Sequence, residues 1–188
     1  MRSLLLIVVF GASVAPLPGQ SLVLSNLGAS PSEAQGWVWE AFADTVMGGS
    51  SELSPPIVLD LDEGKALLLA GRVVTRGGGF IQVRLKYDAR SFDASGYSGV
   101  EIDLSSPNEG SYFIFLRTRD SLFPWSYYGA PVRPTDRRTT IRIPWSSFSA
   151  QSTLRTTLRP DRLTSIAMTA AFEDFNALLH IYRVGLYR

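Results

Sequence analysis

The chain has 188 residues, of which 45% are apolar, and this is enough for one domain of about 100–200 residues with its own core. It contains no cysteine, which excludes disulfides, thiolate nucleophiles and cysteine-ligated metals. The formal net charge at pH 7 is +1, so there is no general attraction to nucleic acid or to an anionic membrane.

The N-terminus has the pattern of a secretory signal peptide. Arg2 is followed by the apolar run Leu4 to Phe10 and then by small and turn-forming residues up to Gly19. The run is too short for a membrane span, which needs about 20 residues. We therefore predict a signal peptide at residues 1–19, with export to the periplasm or the cell exterior. The alternative is an uncleaved N-terminal anchor or a misassigned start.

From Ser21 onward the sequence predicts short strands, and no stretch has a sustained period of 3.6 residues. The 16 Gly, 11 Pro and many aromatic residues favour turns and strands over helices. The predicted strands are Ser21–Asn26, Trp37–Phe42, Ile57–Leu61, Lys65–Thr75, Phe80–Tyr87, Val100–Leu104, Tyr112–Arg119, Thr139–Ile143, Thr164–Ala171 and Leu178–Tyr187. About nine or ten such strands predict an all-β antiparallel sandwich, in a single domain over residues 20–188.

Two local features refine this prediction. Asp60 to Gly64 has the composition of a hairpin turn, although its carboxylates could also bind calcium. In the last strand, Leu179 and Ile181 are out of register with Val184 and Leu186. This shift predicts a β-bulge near Tyr182 and Arg183.

Charged residues are unevenly distributed along the chain. The segment from Gln20 to Gly64 contains acidic residues and no Lys or Arg, whereas Arg133 to Arg162 is rich in arginine. Either the two segments lie side by side and neutralise each other, or the second forms a basic surface for an anionic partner. The arginines lack the aromatic interleaving of a nucleic-acid module, so nucleic acid is not an expected partner.

Catalysis has little support in the sequence. His180, the only histidine, lies in an apolar strand, where a structural role is favoured over a place in a Ser–His–acid set. The acidic candidates for a glycosidase pair are Glu40, Asp44, Glu101 and Asp103. For Glu101 and Asp103 we expect ion pairs across strands instead, with Arg84, Arg117 or Arg119. The prediction is a protein that is not an enzyme, with no cofactor and no metal.

Two glycine-rich stretches organise the chain. One runs from Trp39 through Asp44, Met47, Gly48, Gly49 and Ser50, and the other contains Gly78, Gly79 and Phe80. Adjacent glycines allow a positive φ or a close backbone approach. Asp44 and Ser50 can bond neighbouring amides and fix the loop. We expect these residues to be structural, sealing one end of the sandwich.

These stretches belong to six motifs whose order resembles the complex I intermediate-associated protein 30 family. The motifs are Trp39, Asp44–Ser51, Gly78–Arg84, Gly96–Gly99, Tyr112–Arg117 and Ile143–Phe148. The resemblance implies a galactose-binding-domain-like jelly-roll β-sandwich, similar to some carbohydrate-binding modules. Mitochondrial members assist assembly of respiratory complex I, whereas the secretory N-terminus here indicates an exported bacterial member.

One strand face and one loop are candidates for ligand binding. Aromatic faces and arginine forks suit sugar rings or a protein partner. The candidate residues are Arg84, Phe113, Phe115, Arg117, Arg119, Trp125, Tyr127 and Tyr128. Alternatively, other parts of the chain cover the two phenylalanines and the loop aromatics pack at the sandwich edge.

The expected function is therefore non-catalytic binding of a carbohydrate or a protein partner by an exported module. The alternatives are an assembly or chaperone-like factor for a membrane complex, by family analogy, and more weakly a glycoside-acting enzyme. No membrane span is expected in the mature chain.

Overall fold

The computed structural model describes residues 21–27, 32–34 and 36–188, so the predicted signal peptide at residues 1–19 lies outside the described residues. Within them the chain is all-β. The strands in chain order are β1 (Leu22–Asn26), β2 (Ser32–Glu33), β3 (Trp37–Ala43), β4 (Glu52–Leu53), β5 (Val58–Leu61), β6 (Gly64–Val73), β7 (Phe80–Tyr87), β8 (Gly99–Ser105), β9 (Tyr112–Thr118), β10 (Tyr127–Val132), β11 (Thr139–Pro144), β12 (Ser149–Gln151), β13 (Leu163–Ala171) and β14 (Phe175–Tyr187). Short 3-10 turns occupy Asp44–Met47, Trp145–Ser147 and Pro160–Arg162.

The strands form two antiparallel sheets. The first sheet has the order β11-β8-β14-β1-β2, with β6 paired to the first half of β14 and with β4 and β5 on the far edge of β6. The second sheet has the order β12-β10-β9-β13-β7-β3. The antiparallel β-sandwich expected from the strand pattern is confirmed.

The core lies between the two sheets and follows the alternation in the sequence. Ile81, Val83 and Leu85 of β7 are fully or almost fully buried, as are Ile102 and Leu104 of β8. Removing one such side chain from water is worth roughly 1.5–3 kcal/mol. The polar positions of β7 therefore point away from the core, and this places Arg84 on the outer face of the second sheet.

Both local refinements are visible in the structure. β5 and β6 form a hairpin in which Leu61 pairs with Gly64, so the turn lies at Asp62 and Glu63, inside the predicted segment. In the part of the chain that the structure describes, no three Asp, Glu or His side chains group as metal ligands. The register of β14 against β8 shifts between Ile181 and Arg183, which confirms the predicted bulge.

The expected partners of Glu101 and Asp103 are wrong. Glu101 bonds Arg142 and Arg183, and Asp103 bonds Arg138. The reason is topological: β8 lies in the first sheet, whereas Arg84 and Arg117 lie on strands of the second. Arg119 follows the end of β9 in that same second sheet.

Among the described residues, the acidic and arginine-rich segments meet at Glu63 and Arg138 through hydrogen bonds and not through an ion pair. The backbone N–H of Arg138 donates to the Glu63 carboxylate at 2.7 Å, and the Arg138 guanidinium donates to the Glu63 backbone carbonyl at 3.0 Å. Arg142 and Arg162, from the same arginine-rich segment, instead pair with Glu101 and Asp120. Among the described residues, no helix is long and apolar enough to cross a membrane.

Candidate functional site

The two glycine-rich stretches meet at a single buried carboxylate. Asp44 is 0% exposed and accepts hydrogen bonds from the backbone N–H and hydroxyl of Ser51, both at 2.9 Å. It also accepts from the backbone N–H of Gly79 at 2.5 Å. Hydrogen bonds to an ionised acceptor are the stronger class. Asp44 therefore ties the loop after β3 to the loop before β7.

The glycines around Asp44 are required for two different reasons. A Cβ on Gly49 would lie 2.2 Å from the Asp44 carboxyl carbon, and one on Gly78 would lie 2.6 Å from its Oδ2. Gly48 has open space around it but a φ of +86°, which L-residues rarely adopt. Gly49 and Gly78 are required because there is no space for a Cβ, and Gly48 is required because its backbone has a positive φ.

Four other residues of the organising stretches have roles that the sequence analysis did not separate. Ser50 is exposed, and the serine that bonds Asp44 is Ser51. The indole N–H of Trp39 donates to Ser25 of β1 at 3.1 Å and so links the two sheets. Met47 and Phe80 line a groove on the outer face of the second sheet.

This groove has a cavity volume of about 250 Å³. Its floor comes from β7, β13 and β9, where Arg84, Ala167 and Phe115 are neighbours across the strands. The small side chain of Ala167 between two large ones makes the depression. One wall is the loop with Val46 and Met47, and the other is the β9–β10 loop with Pro124 and Trp125.

Aromatic rings cover much of the groove. Tyr127 stacks on Phe115, with ring centroids 3.9 Å apart and an interplanar angle of 16°. Phe172 meets Phe113 edge to face at 5.1 Å. Trp125 lines the groove and is 53% exposed, and its ring stacks on Phe123, with centroids 5.3 Å apart and an interplanar angle of 4°.

Arg117 fixes the wall that carries Trp125. Its guanidinium donates to the backbone carbonyls of Pro124 at 2.7 Å and of Ser121 and Phe123 at 2.9 Å. Burial, together with the nearby charge of Arg84, lowers the pKa of Arg117. Its partners are carbonyls rather than carboxylates, so its positive charge is not neutralised by an ion pair.

Arg84 is held by an ion pair at the other side of the groove floor. Its Nη2 bonds Glu40 on β3 at 2.5 Å, and Lys86 bonds the other oxygen of Glu40 at 2.9 Å. Burial raises the pKa of Glu40, but the hydrogen bonds from Arg84 and Lys86 outweigh it and the net pKa is lowered. Glu40 is therefore ionised and shared between two cations.

The structure brings most of the sequence-predicted ligand residues together. Arg84, Phe115, Arg117, Trp125 and Tyr127 line the groove. Phe113 lies beside it and packs against Phe115 and Phe172.

Two of the predicted ligand residues do not face the groove. Tyr128 is 0% exposed and its hydroxyl donates to the carbonyl of Arg155, because successive side chains of a strand point to opposite faces. Arg119 follows the end of β9, where its backbone N–H bonds the carbonyl of Arg162, and it is not part of the lining.

Sequence reasoning missed several lining residues. Phe42, Gln82 and Phe172 contribute to the groove. Phe42 and Gln82 pair across β3 and β7, so alternation together with the strand pairing would have found them. Phe172 lies after β13 with a φ of +69°, and no sequence signal marks it.

No acidic side chain belongs to the groove lining among the described residues. Asp44 is occupied by the loop amides, and Glu101 and Asp103 lie on the other sheet. His180 Nδ1 lies 3.3 Å from the hydroxyl of Ser105, but that serine is buried and also bonds Tyr182. Neither arrangement places an acid–base pair in the groove.

Fold and site define a β-sandwich with an aromatic groove on one open sheet face. Residues 29–176 match the family model described as complex I intermediate-associated protein 30 (CIA30). The chain belongs to the CIA30 family. A search of curated protein sequences finds no significant match.

Several solved structures share the fold. One is a family 11 carbohydrate-binding module from Clostridium thermocellum in complex with a β-1,3-1,4-mixed-linked tetrasaccharide, with a TM-score of 0.67, 15% identity, and coverage of 91% of this chain and 96% of that chain. Another is the family 11 module of the cellulosomal cellulase Lic26A-Cel5E of the same organism, with a TM-score of 0.67, 15% identity, and coverage of 89% and 94%. An exo-beta-agarase matches with a TM-score of 0.55 and 9% identity, over 88% of this chain and 25% of that chain.

Proposed function

We propose that the groove on the second sheet binds a carbohydrate chain without transforming it. The observation that carries this proposal is that the exposed Trp125 and the stacked Phe115–Tyr127 pair line the same groove. Sugar rings present flat C–H faces that pack on aromatic rings. A cavity of about 250 Å³ accommodates part of an oligosaccharide at a time.

The comparisons support the carbohydrate over a protein partner. Among the solved structures with this fold is a carbohydrate-binding module in complex with a tetrasaccharide. The absence of a carboxylate in the described groove lining supports binding rather than glycoside hydrolysis, which needs two carboxyl groups. Residues 1–19, if they act as a signal peptide, bring the module to extracytoplasmic glycans.

The test is glycan binding by matched variants. Trp125→Ala removes the exposed ring and should weaken binding about tenfold or more, which corresponds to about 1.4 kcal/mol. Leu154→Ala removes another exposed apolar side chain, which lies outside the lining, and should leave affinity unchanged. Isothermal titration against hits from a glycan array measures both. A blank array, or equal effects of the two variants, would contradict the proposal.

A second candidate function follows from the family itself. Members are described as complex I intermediate-associated, and the exposed Leu122 and Phe123 beside Trp125 offer an apolar contact for a protein. On this hypothesis the chain assists assembly of a membrane complex. Deletion of the gene should then deplete an envelope or respiratory complex, whereas unchanged complexes would favour the carbohydrate proposal.

A further inference from the structure

The groove has an excess of positive charge. Two guanidinium groups, those of Arg84 and Arg117, line it, and no acidic side chain among the described residues does. Glu40 neutralises only part of this charge because Arg84 and Lys86 share it. Within the described part of the chain, the side-chain hydrogen bonds of Arg117 go to backbone carbonyls. A partly desolvated site with like charges is stabilised when an anion enters it.

The two arginines and Gln82 give the groove several hydrogen-bond donors. The Oε1 of Gln82 already accepts from Thr169 at 3.1 Å, so its amide N–H groups remain. A guanidinium has donors and no acceptor. A carboxylate or sulfate group supplies charged acceptors, which form stronger hydrogen bonds with such donors than the neutral hydroxyl oxygens of a sugar do.

We propose that the sugar chain bound in the groove is acidic, with a carboxylate or sulfate group bonded between Arg84 and Arg117. The inference rests on the carbohydrate-binding function proposed above and narrows it to one chemical class. The aromatic rings hold the sugar face, and the two arginines select the charged substituent. Each guanidinium carries five N–H donors, so donors remain beyond the bonds that Arg84 makes to Glu40 and that Arg117 makes to the loop carbonyls.

The experiment compares glycans that differ only in charge. The probes are oligogalacturonate and oligomannuronate, each against its methyl ester, and a sulfated galactan against its desulfated form. Titration calorimetry at low and at high salt should show at least one acidic probe binding about tenfold tighter than its neutral counterpart, with the difference shrinking in salt. The uronates and the sulfated galactan distinguish the two sources of the anion.

Two variants with opposite expected effects make the assignment specific. Arg84→Gln should abolish the preference for the acidic probe. Glu40→Gln should strengthen acidic binding a few-fold, because Arg84 and Lys86 lose their shared acid. Arg133→Gln changes the net charge equally at an exposed position outside the lining and should have no effect. The opposite sign of the first two effects cannot come from misfolding.

The outcomes separate this inference from the function on which it rests. If neutral probes bind as tightly as acidic ones and depend on Trp125, carbohydrate binding stands and the charge assignment is overturned. The same holds if the acidic preference survives in Arg84→Gln. If neither charged nor neutral probes bind, the carbohydrate function and the acidic specificity fail together.

Discussion

At the scale of single residues, the Asp44 carboxylate determines which glycines the family motif needs. It is buried and its oxygens bond Ser51 and Gly79. Removing part of such a network leaves a buried charge short of donors, which costs more than a neutral bond is worth. The motif therefore stabilises the fold. The same loop also forms one wall of the groove, because Val46 and Met47 line it.

Two alanine substitutions separate space from conformation at this site. Gly49→Ala places a Cβ on the Asp44 carboxyl carbon and must displace the carboxylate, at a cost of about 3 kcal/mol or more. In Gly48→Ala the new Cβ meets no atom within 4 Å. The free energy of unfolding should therefore fall only by the cost of the positive φ, about 1–2 kcal/mol. Calorimetry should show a melting temperature about 2–4 °C lower per kcal/mol for a domain of this size.

The order of these two effects is the point of the comparison. Gly49→Ala should melt clearly below Gly48→Ala, and both should melt below the parent. Equal melting temperatures for the two variants would mean that the carboxylate has room to move. The sequence alone marked both glycines, but their separate reasons are visible only in the structure, where Asp44 lies against Gly49 and Gly48 has a positive φ.

At the scale of elements, the β9–β10 loop depends on one arginine that belongs to a strand. The carbonyls of Ser121, Phe123 and Pro124 all accept hydrogen bonds from Arg117. The tip of this loop is exposed and apolar, at Leu122, Phe123 and Trp125. Its internal backbone hydrogen bonds are those from Ser121 to Thr118 and from Ser126 to Phe123. Arg117 is therefore a positioning residue for Trp125.

Arg117→Lys tests that positioning role. A lysine carries the same charge but lacks the planar fork needed to reach three carbonyls, so the loop should loosen. We expect faster hydrogen exchange at the amides of Ser121 and Ser126 and about tenfold weaker binding of any glycan, neutral probes included. Arg119→Gln is the control, because that side chain lies outside the groove lining. Unchanged exchange in the lysine variant would remove Arg117 from this role.

Strand identity was largely predictable because alternation is local. The β7 pattern of Ile81, Val83 and Leu85 fixed which face is buried, and the register change in β14 located its bulge. β10 was not predicted as a strand, because it contains Gly129 and Pro131, which are typical of turns. Pro131 is tolerated because β12 pairs only with Tyr127 to Gly129, so β10 is an edge strand at Pro131. Applied to β10, the same alternation would have excluded Tyr128 from the site.

Strand pairing was not predictable because it is non-local. Sequence reasoning assigned Glu101 and Asp103 to the arginines of the wrong sheet, since nothing near β8 in the chain indicates that β11 and β14 flank it. The groove depends on the same information. Arg84, Ala167 and Phe115 are far apart in sequence and meet only through the order β9-β13-β7.

At the scale of the whole molecule, the outer faces of the two sheets differ in how their charged side chains are paired. The second sheet carries the groove, with exposed rings and unneutralised arginine. The first sheet carries a compact ion-pair network, in which Glu101 bonds Arg142 and Arg183, and Asp103 bonds Arg138. Charge on the first face is internally satisfied, so that face is suited to stability and the other to binding.

The ion-pair network predicts how stability depends on pH. Burial raises the pKa of Glu101 and Asp103, but bonds from hydroxyls and arginines outweigh it, so both net pKa values lie below the ordinary 4.5 and 3.8. A carboxyl group whose folded pKa is depressed stabilises the fold above its unfolded pKa, and this contribution is lost as pH falls through the folded value. The melting temperature should therefore be level near neutral pH and fall below about pH 4.5.

Glu101→Gln isolates this contribution. Glu101 is 3% exposed, and its loss leaves Arg142 and Arg183 short of a partner. Because Arg142 is itself largely exposed, we expect a cost of about 1–3 kcal/mol at pH 7, below that of a fully buried pair. At about pH 3 the parent has lost part of the same contribution, so the gap in melting temperature between parent and variant should narrow.

Asp161→Asn breaks an exposed pair with Arg159 and should change the melting temperature little at any pH. A gap for Glu101→Gln that stays constant from neutral to acidic pH would show that packing around this side chain, rather than its charge, stabilises the first sheet.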